Sequence, residues 1–309
     1  MTTLPDFRFG VTPAIDLFAR PFADRRRLVN EVADLGIDHV FFADHVSFHS
    51  GAGTDGMVAA SAVANLHPDV GIYIAVYLLA LRHPVPVARQ LADLAEMAPG
   101  RISFGVGIGG EDRHEVEVCG IDPRTRGRRT DAALDIVSKL LEGEHVHHSS
   151  EFYELDDAII RPVPSQRIPI FVGGRSDAAI VRAGQFADGW LASWCSARRF
   201  GEAVTLFGET AAAANREPAG DHGIQLWLGA ANDAGRAREL VKSAMEGFYK
   251  IPFELFEKYT PMGTAEQIAE SLVPYVDAGC RHFNLTPIAE TAEEGLETVA
   301  EVRRLLLAN

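Results

Sequence analysis

Lysine is nearly missing from this chain: of 29 basic residues, only Lys139, Lys242, Lys250 and Lys258 are lysines. An arginine-dominated, alanine-rich composition marks a GC-rich genome, which concerns lineage and not chemistry. Cysteine is scarce too. Cys119, Cys195 and Cys280 are odd in number and widely spaced, which excludes a disulfide framework and points to reduced thiols in a cytoplasm. Positive charge is in deficit, with a formal net charge of −14. That balance excludes nucleic acid and an anionic membrane surface as partners. No apolar run approaches the roughly 18 residues that a membrane span needs. The opening MTTLPDFRFG has no basic segment followed by an apolar core, so a secretory leader is not expected and the expected location is cytoplasmic.

What is present is an alternation. With 309 residues, 47% hydrophobic and 23% charged, the chain can build one large α/β domain or two ordinary ones. FRFGVT (7–12) reads as a strand, and residues 22–36 as a helix closed by glycine. IDHVFFAD (37–44), VGIYIAVYLL (70–79), RISFGVGI (101–108) and IPIFVGG (168–174) continue the strand series. ADGWLASW, GIQLWLGA and RHFNLTP complete it, with helical stretches between them and a last helix in TAEEGLETVAEVRRLLL. Eight strands alternating with helices over this length are the count of a (β/α)₈ TIM barrel. An open doubly wound sheet is the alternative. Two insertions break the spacing: 143–167, where EHVHHSSEFYEL reads as a hairpin, and 249–262. The expectation is a single barrel domain over residues 1–309.

Gly105, Gly107 and Gly110 in RISFGVGIGGED satisfy G-x-G-x-x-G, the spacing of a dinucleotide-binding turn. That turn requires a second strand soon afterwards, ending in an acidic residue. Here EDRHEVEVCG, an arginine-rich loop and a long helix follow instead, so the dinucleotide reading fails. At the C-terminal end of a barrel strand, where active sites of this fold lie, glycines let the backbone approach a flat ring closely. Relief of crowding at the rim is the bland alternative.

Several residues could carry chemistry. Strand two ends in Asp44 and His45; a carboxylate beside an imidazole can fix its tautomer for proton transfer, or both can be satisfied by nearby backbone. Glu111 could be a general acid, or a negative residue favoured in a first helical turn. Gly173, Gly174, Arg175 and Ser176 join a strand to a helix and suit an anion; the alternative is a glycine turn with a serine N-cap. HVHH (145–148) has no placed carboxylate cluster in sequence, so metal binding is not expected. Arg124, Arg126, Arg128 and Arg129 read as a solvated loop and helix start, with a secondary role on an anionic cofactor tail.

FADH, LRHPV (81–85), GRISFGVGIGGED and IPIFVGGRSDAA…ADGW (168–190) together resemble the luciferase-like flavin-dependent oxidoreductases. The matching blocks keep the family order over most of residues 1–195, while the last third matches in layout only. That family includes bacterial luciferase relatives using reduced FMN and actinobacterial enzymes using the deazaflavin coenzyme F420. The resemblance implies a barrel with an insertion before the strand carrying the glycine pair. It implies His45 and Asp44 at the ring-binding face, and a non-prolyl cis peptide at Ala75-Val76. It sets Gly107, Gly109 and Gly110 against the cofactor and makes Glu111 a proton donor. Gly173, Gly174, Arg175 and Ser176 match the phosphate loop, and Ser193 a further phosphate or ribityl contact. Two departures stand out: GIYIAV where relatives often have a Gly-Thr pair, and one extra glycine after strand four. The implied function is F420-dependent hydride transfer to or from a small, moderately hydrophobic organic substrate. The alternatives are an FMNH2-dependent monooxygenase with a partner flavin reductase, and a flavin-binding protein without turnover. The family usually forms homodimers through helices near strands two and three. The loops 45–56, 143–167 and 249–262 would choose the substrate.

Overall fold

The computed structural model describes residues 7–49, 51–110 and 112–308. It begins with β1 (Arg8–Val11), α1 (Phe22–Asp34), β2 (His39–Phe42), α2 (Gly56–Ala64), β3 (Gly71–Leu78), α3 (Pro84–Met97) and β4 (Ile102–Gly107). A short helix α4 (Arg113–Val118) precedes α5 (Arg126–Leu141), and the hairpin β5 (Val146–Ser149) and β6 (Glu154–Ala158) follows. The alternation resumes with β7 (Ile170–Gly173), α6 (Asp177–Phe186), β8 (Gly189–Ser193), α7 (Ala197–Ala213), β9 (Gly223–Ala230) and α8 (Ala234–Tyr249). Two 3-10 turns lead to the two-residue β10 (Met262–Gly263), then α9 (Ala265–Asp277), β11 (His282–Ile288) and α10 (Ala292–Leu307).

The strands pair in the order β9-β11-β1-β2-β3-β4-β7-β8, all parallel, and a β8–β9 pairing closes the ring. Closure decides for the barrel over the open sheet. β10 is a short addition at the C-terminal end of β9, beside Gly229 and Ala230, and the hairpin pairs antiparallel apart from the barrel. Between β4 and α5 there is only α4, a helix the sequence pattern did not announce.

Strand residues are buried on both faces, which is why their sequences read as continuous apolar runs. Inside the ring Phe41, Tyr73, Ala75, Phe171 and Leu191 form their own cluster. The alternate residues, such as Phe42, Ile72 and Val172, join Leu28 and Leu91 in the larger core beneath the helices. At the N-terminal end of the ring the filling turns polar: His39 Nε2 and Asn284 Oδ1 are 2.7 Å apart, with His282 and His222 also buried. Burial pushes the pKa of His39 and His222 down to about 4 and that of His282 to about 3, so all three sit neutral. The helices start at side-chain caps, among them Asp55 for α2, His83 with Pro84 at the first position of α3, and a Thr264–Gln267 capping box for α9.

Candidate active site

A cavity of about 560 Å³ opens at the C-terminal ends of the barrel strands, a size suited to a small-molecule site. Asp44 and His45 leave β2 at its edge, and both line it. The two do not pair, which corrects the expected carboxylate–imidazole couple. Successive side chains at a strand end point to opposite sides, and Asp44 turns toward the start of α2, 1% exposed. Its oxygens accept from the Leu78 and Gly56 backbone N–H at 2.9 and 2.8 Å and from the Arg82 Nη1 and Nη2 at 2.5 and 2.8 Å. Burial raises the Asp44 pKa, opposed by the Arg82 charge and the two N–H donors. Arg82 also donates to Asp55 at 3.1 Å and lies over the Tyr77 ring. Asp44 thus ties β2, the end of β3 and the start of α2 together.

The partner of His45 is Glu115, on α4. His45 Nδ1 lies 3.1 Å from Glu115 Oε2, while Glu115 Oε1 accepts from the backbone N–H of Val46 and Ser47 at 2.7 and 3.1 Å. Glu115 is 3% exposed. Burial opposes its charge, but the His45 hydrogen bond and the two N–H donors hold its carboxyl below the usual range. An ionised carboxylate only accepts, so in the neutral ring Nδ1 carries the proton and Nε2 keeps a free lone pair. The His45 ring stacks on Phe48, centroids 4.1 Å apart. Glu115 was missed because it lies 70 residues from His45; Asp112-x-x-Glu115 at the start of α4 reads locally as a capping box. Asp112 does cap α4, and its other oxygen accepts from His49 N–H at 2.6 Å.

The wall on the β3 side is built around a bulge. The Ala75-Val76 peptide is cis, as the resemblance implied, and the pairing with β4 slips between Ile74 and Tyr77. Ala75, Val76, Gly107, Gly109 and Gly173 all line the cavity. At two of the glycines the missing Cβ has a different use from the one expected. A Cβ on Gly107 would overlap Val76 Cγ2, and one on Gly173 would lie 2.8 Å from Val76 Cγ1. The glycines seat Val76, whose side chain packs against both of them at the cavity wall. Gly110 is exposed and outside the lining, and Glu111 lies outside the described residues.

At the far end Gly174 and Ser193 reach the lining; Arg175 and Ser176 do not. Gly174 has φ +135°, a region open mainly to glycine, and its carbonyl accepts from Trp190 Nε1 at 2.8 Å. Ser176 caps α6 by accepting from the Ala179 N–H, so the capping role is present. The exposed Arg175 guanidinium sits 5.4 Å from the ring centre of Trp194, a cavity residue. Another stretch of the lining is aromatic: Phe48 and Tyr249, from two of the loops expected to choose the substrate, with Trp194, Trp227 and Phe248. Among the polar lining groups, Gln225 Oε1 is buried without a partner.

Of the arginines of the loop, Arg129 donates to the Ala80 carbonyl and Arg128 pairs with Glu151. His145 and His147 pair with Asp157 and Asp156 at 2.6 and 3.1 Å, carboxylates the sequence pattern did not bring beside them. Among the described residues no group of three or more His, Cys, Asp or Glu is arranged to hold a metal ion. No helix among them is long and apolar enough to cross a membrane.

Fold and cavity together define a TIM barrel with a cavity at its strand ends. More particularly, the chain belongs to the luciferase-like monooxygenase family, which it matches over residues 7–257. An F420-dependent glucose-6-phosphate dehydrogenase of Nakamurella multipartita is 29% identical over 290 residues, 90% of this chain and 77% of that protein. An F420-dependent hydroxymycolic acid dehydrogenase of Mycobacterium tuberculosis is 31% identical over 140 residues, 44% of this chain and 38% of that protein. An uncharacterized protein of the same organism is 38% identical over 113 residues; the match spans 38% of that relative's length. Among solved structures, an F420-dependent secondary alcohol dehydrogenase in complex with an F420-acetone adduct superposes with a TM-score of 0.82 at 20% identity, covering 97% of this chain and 99% of that one. Monooxygenase RslO1 from Streptomyces bottropensis gives 0.79 at 19% identity, covering 97% and 98%. At these identities the structural likeness concerns the fold.

Proposed function

We propose that this chain is an F420-dependent oxidoreductase that moves a hydride between the deazaflavin and a small, moderately hydrophobic organic substrate. The observation that carries the reading is His45, whose Nδ1 is engaged by an ionised Glu115 while the ring lines the cavity. Pure storage or sensing of a flavin needs no such proton handler. The F420-dependence named for relatives that align over most of this chain supports the cofactor.

The residues present fit such a group. Val76 on its glycine seat offers an apolar face for a flat ring, and Gln225 Oε1, buried and unpartnered, suits a ring N–H. The loop Gly173, Gly174, Arg175, Ser176, with Ser193, supplies backbone N–H, hydroxyl and guanidinium groups to an anionic tail. Bound there, the deazaflavin supplies hydride chemistry and reacts poorly with oxygen. In alcohol oxidation His45 Nε2 would take the hydroxyl proton, and in carbonyl reduction it would return that proton to the oxygen. Glu115 steadies the imidazolium formed in between. Asp44 acts at a distance, by holding the β3 bulge against β2.

We also take the working form to be a cytoplasmic homodimer; Val58 on α2, 66% exposed, supplies apolar surface for such packing. The first test is equilibrium titration of the apo-protein with F420 and, separately, with oxidised and reduced FMN. F420 binding at least ten times tighter than either FMN form is the expected result. Preference for reduced FMN would overturn the cofactor reading and call for oxygen-consumption assays with a flavin reductase.

A further inference from the structure

We infer that the substrate is uncharged and has a compact alicyclic or aromatic body, lying along the Phe48–Phe248–Trp227 wall with its hydroxyl or carbonyl at His45. The inference rests on the proposed placement of the cofactor ring against Val76, which leaves the aromatic stretch of the lining to the substrate.

The first support is charge. Among the described residues that line the cavity there is no lysine and no arginine. Arg82, which meets the lining residue Asp44, is committed to Asp44 and Asp55. Arg175 stands outside the lining at the Trp194 end, where the cofactor tail is placed. A phosphate or carboxylate beside His45 would therefore be desolvated with no lysine or arginine of the lining to meet it. The chain's net charge of −14 gives anions no help in arriving.

The second support is the wall itself. Phe48 and Phe248 have ring centres 5.4 Å apart, and Phe248 and Trp227 5.7 Å. Phe48 also stacks on His45, so the wall is continuous with the proton handler. Its one indole N–H in this stretch, Trp227 Nε1, donates to Tyr249 Oη at 3.1 Å. Phe48, Phe248 and Trp227 thus present carbon surface and no unused donor to the cavity. A polyol would lose its water there without replacement partners. An alicyclic or aromatic body loses nothing and gains contact area. Phe248 comes from the end of α8, Phe48 from the loop after β2 and Trp227 from β9, so two of the three wall residues lie off the barrel strands.

Two of the protein's three tryptophans, Trp194 and Trp227, line the cavity, and Trp190 does not. Tryptophan fluorescence therefore reads binding directly, without turnover. The experiment titrates cyclohexanol, and separately glucose 6-phosphate, into the apo-protein and into protein loaded with F420. Cyclohexanol is expected to bind at least 100-fold more tightly than glucose 6-phosphate. Phe248→Ala is expected to weaken cyclohexanol at least tenfold and F420 less than twofold, and Phe248→Leu to restore most of the loss. Glucose 6-phosphate binding within tenfold of cyclohexanol, or cyclohexanol binding indifferent to Phe248→Ala, would overturn the inference. If F420 fails to bind while cyclohexanol still binds through Phe248, the cofactor reading falls and this one stands. If F420 binds and cyclohexanol does not, the outcome is reversed.

Discussion

Replacing Glu115 by glutamine changes one atom and inverts a hydrogen bond. The backbone N–H groups of Val46 and Ser47, 2.7 and 3.1 Å from Oε1, need an acceptor, so the amide oxygen of Glu115→Gln stays on them. Its NH2 then faces His45 Nδ1, 3.1 Å away in the parent. Two donors cannot share that contact. The imidazole must move its proton to Nε2, where it donates into the cavity and no longer accepts. Loss of a correctly protonated base costs about 10²-fold in kcat, or about 2.7 kcal/mol of barrier. F420 affinity should change less than twofold, because the groups proposed to hold it are not touched. Stability should fall by about 1 kcal/mol as charge-assisted bonds become neutral ones. Nitrogen-15 shifts of His45 read the tautomer directly, with or without substrate. A parent ring protonated at Nε2, or a variant that keeps at least half of the parent kcat, would refute the reasoning.

Two further predictions concern the barrel. Gly107→Ala puts a Cβ into the space of Val76 and should cost about 1–3 kcal/mol by urea denaturation. Val76→Ala in the same chain should recover at least half of that, and additive losses would show that Val76 is not the neighbour at fault. The buried histidines make the fold acid-sensitive. His39 and His222 have folded pKa values near 4 and His282 near 3, against an ordinary 6.5. The unfolded chain therefore binds more protons below pH 6.5, and the stability, complete above that pH, is lost as pH falls towards 4. By pH 5 the loss should be on the order of 5–6 kcal/mol for the three together. A urea midpoint unchanged between pH 7 and 5 would contradict it.

Much of the architecture was legible before folding. Strand patterns at 7–12, 37–44 and 70–79 fell on β1, β2 and β3, and the hairpin in 143–167 on β5 and β6, because periodicity and glycine stops are local properties of the chain. The rejection of a dinucleotide turn at Gly105, Gly107 and Gly110 was local too, since it needed only the absence of a following strand. The cis bond at Ala75-Val76 came from resemblance, not from pattern. α4 was not legible; it has only six residues, too few for a helical period to declare itself.

The site divides along the same line. Sequence by itself determined which strand ends meet at one rim, and so brought Asp44, His45, Val76, Gly107, Gly173 and Ser193 to a common cavity: parallel strands joined by helices put all their C-terminal ends on one face. Only the tertiary structure decided the partners. Asp44 went to Arg82 and His45 to Glu115, the glycines served Val76, and Phe48, Trp227 and Phe248 met as one wall. The physical reason is reach. Those contacts join residues that no repeat or cap relates along the chain, and which oxygen meets which nitrogen is settled only when the barrel has closed and each buried polar group must take the partner within hydrogen-bond distance.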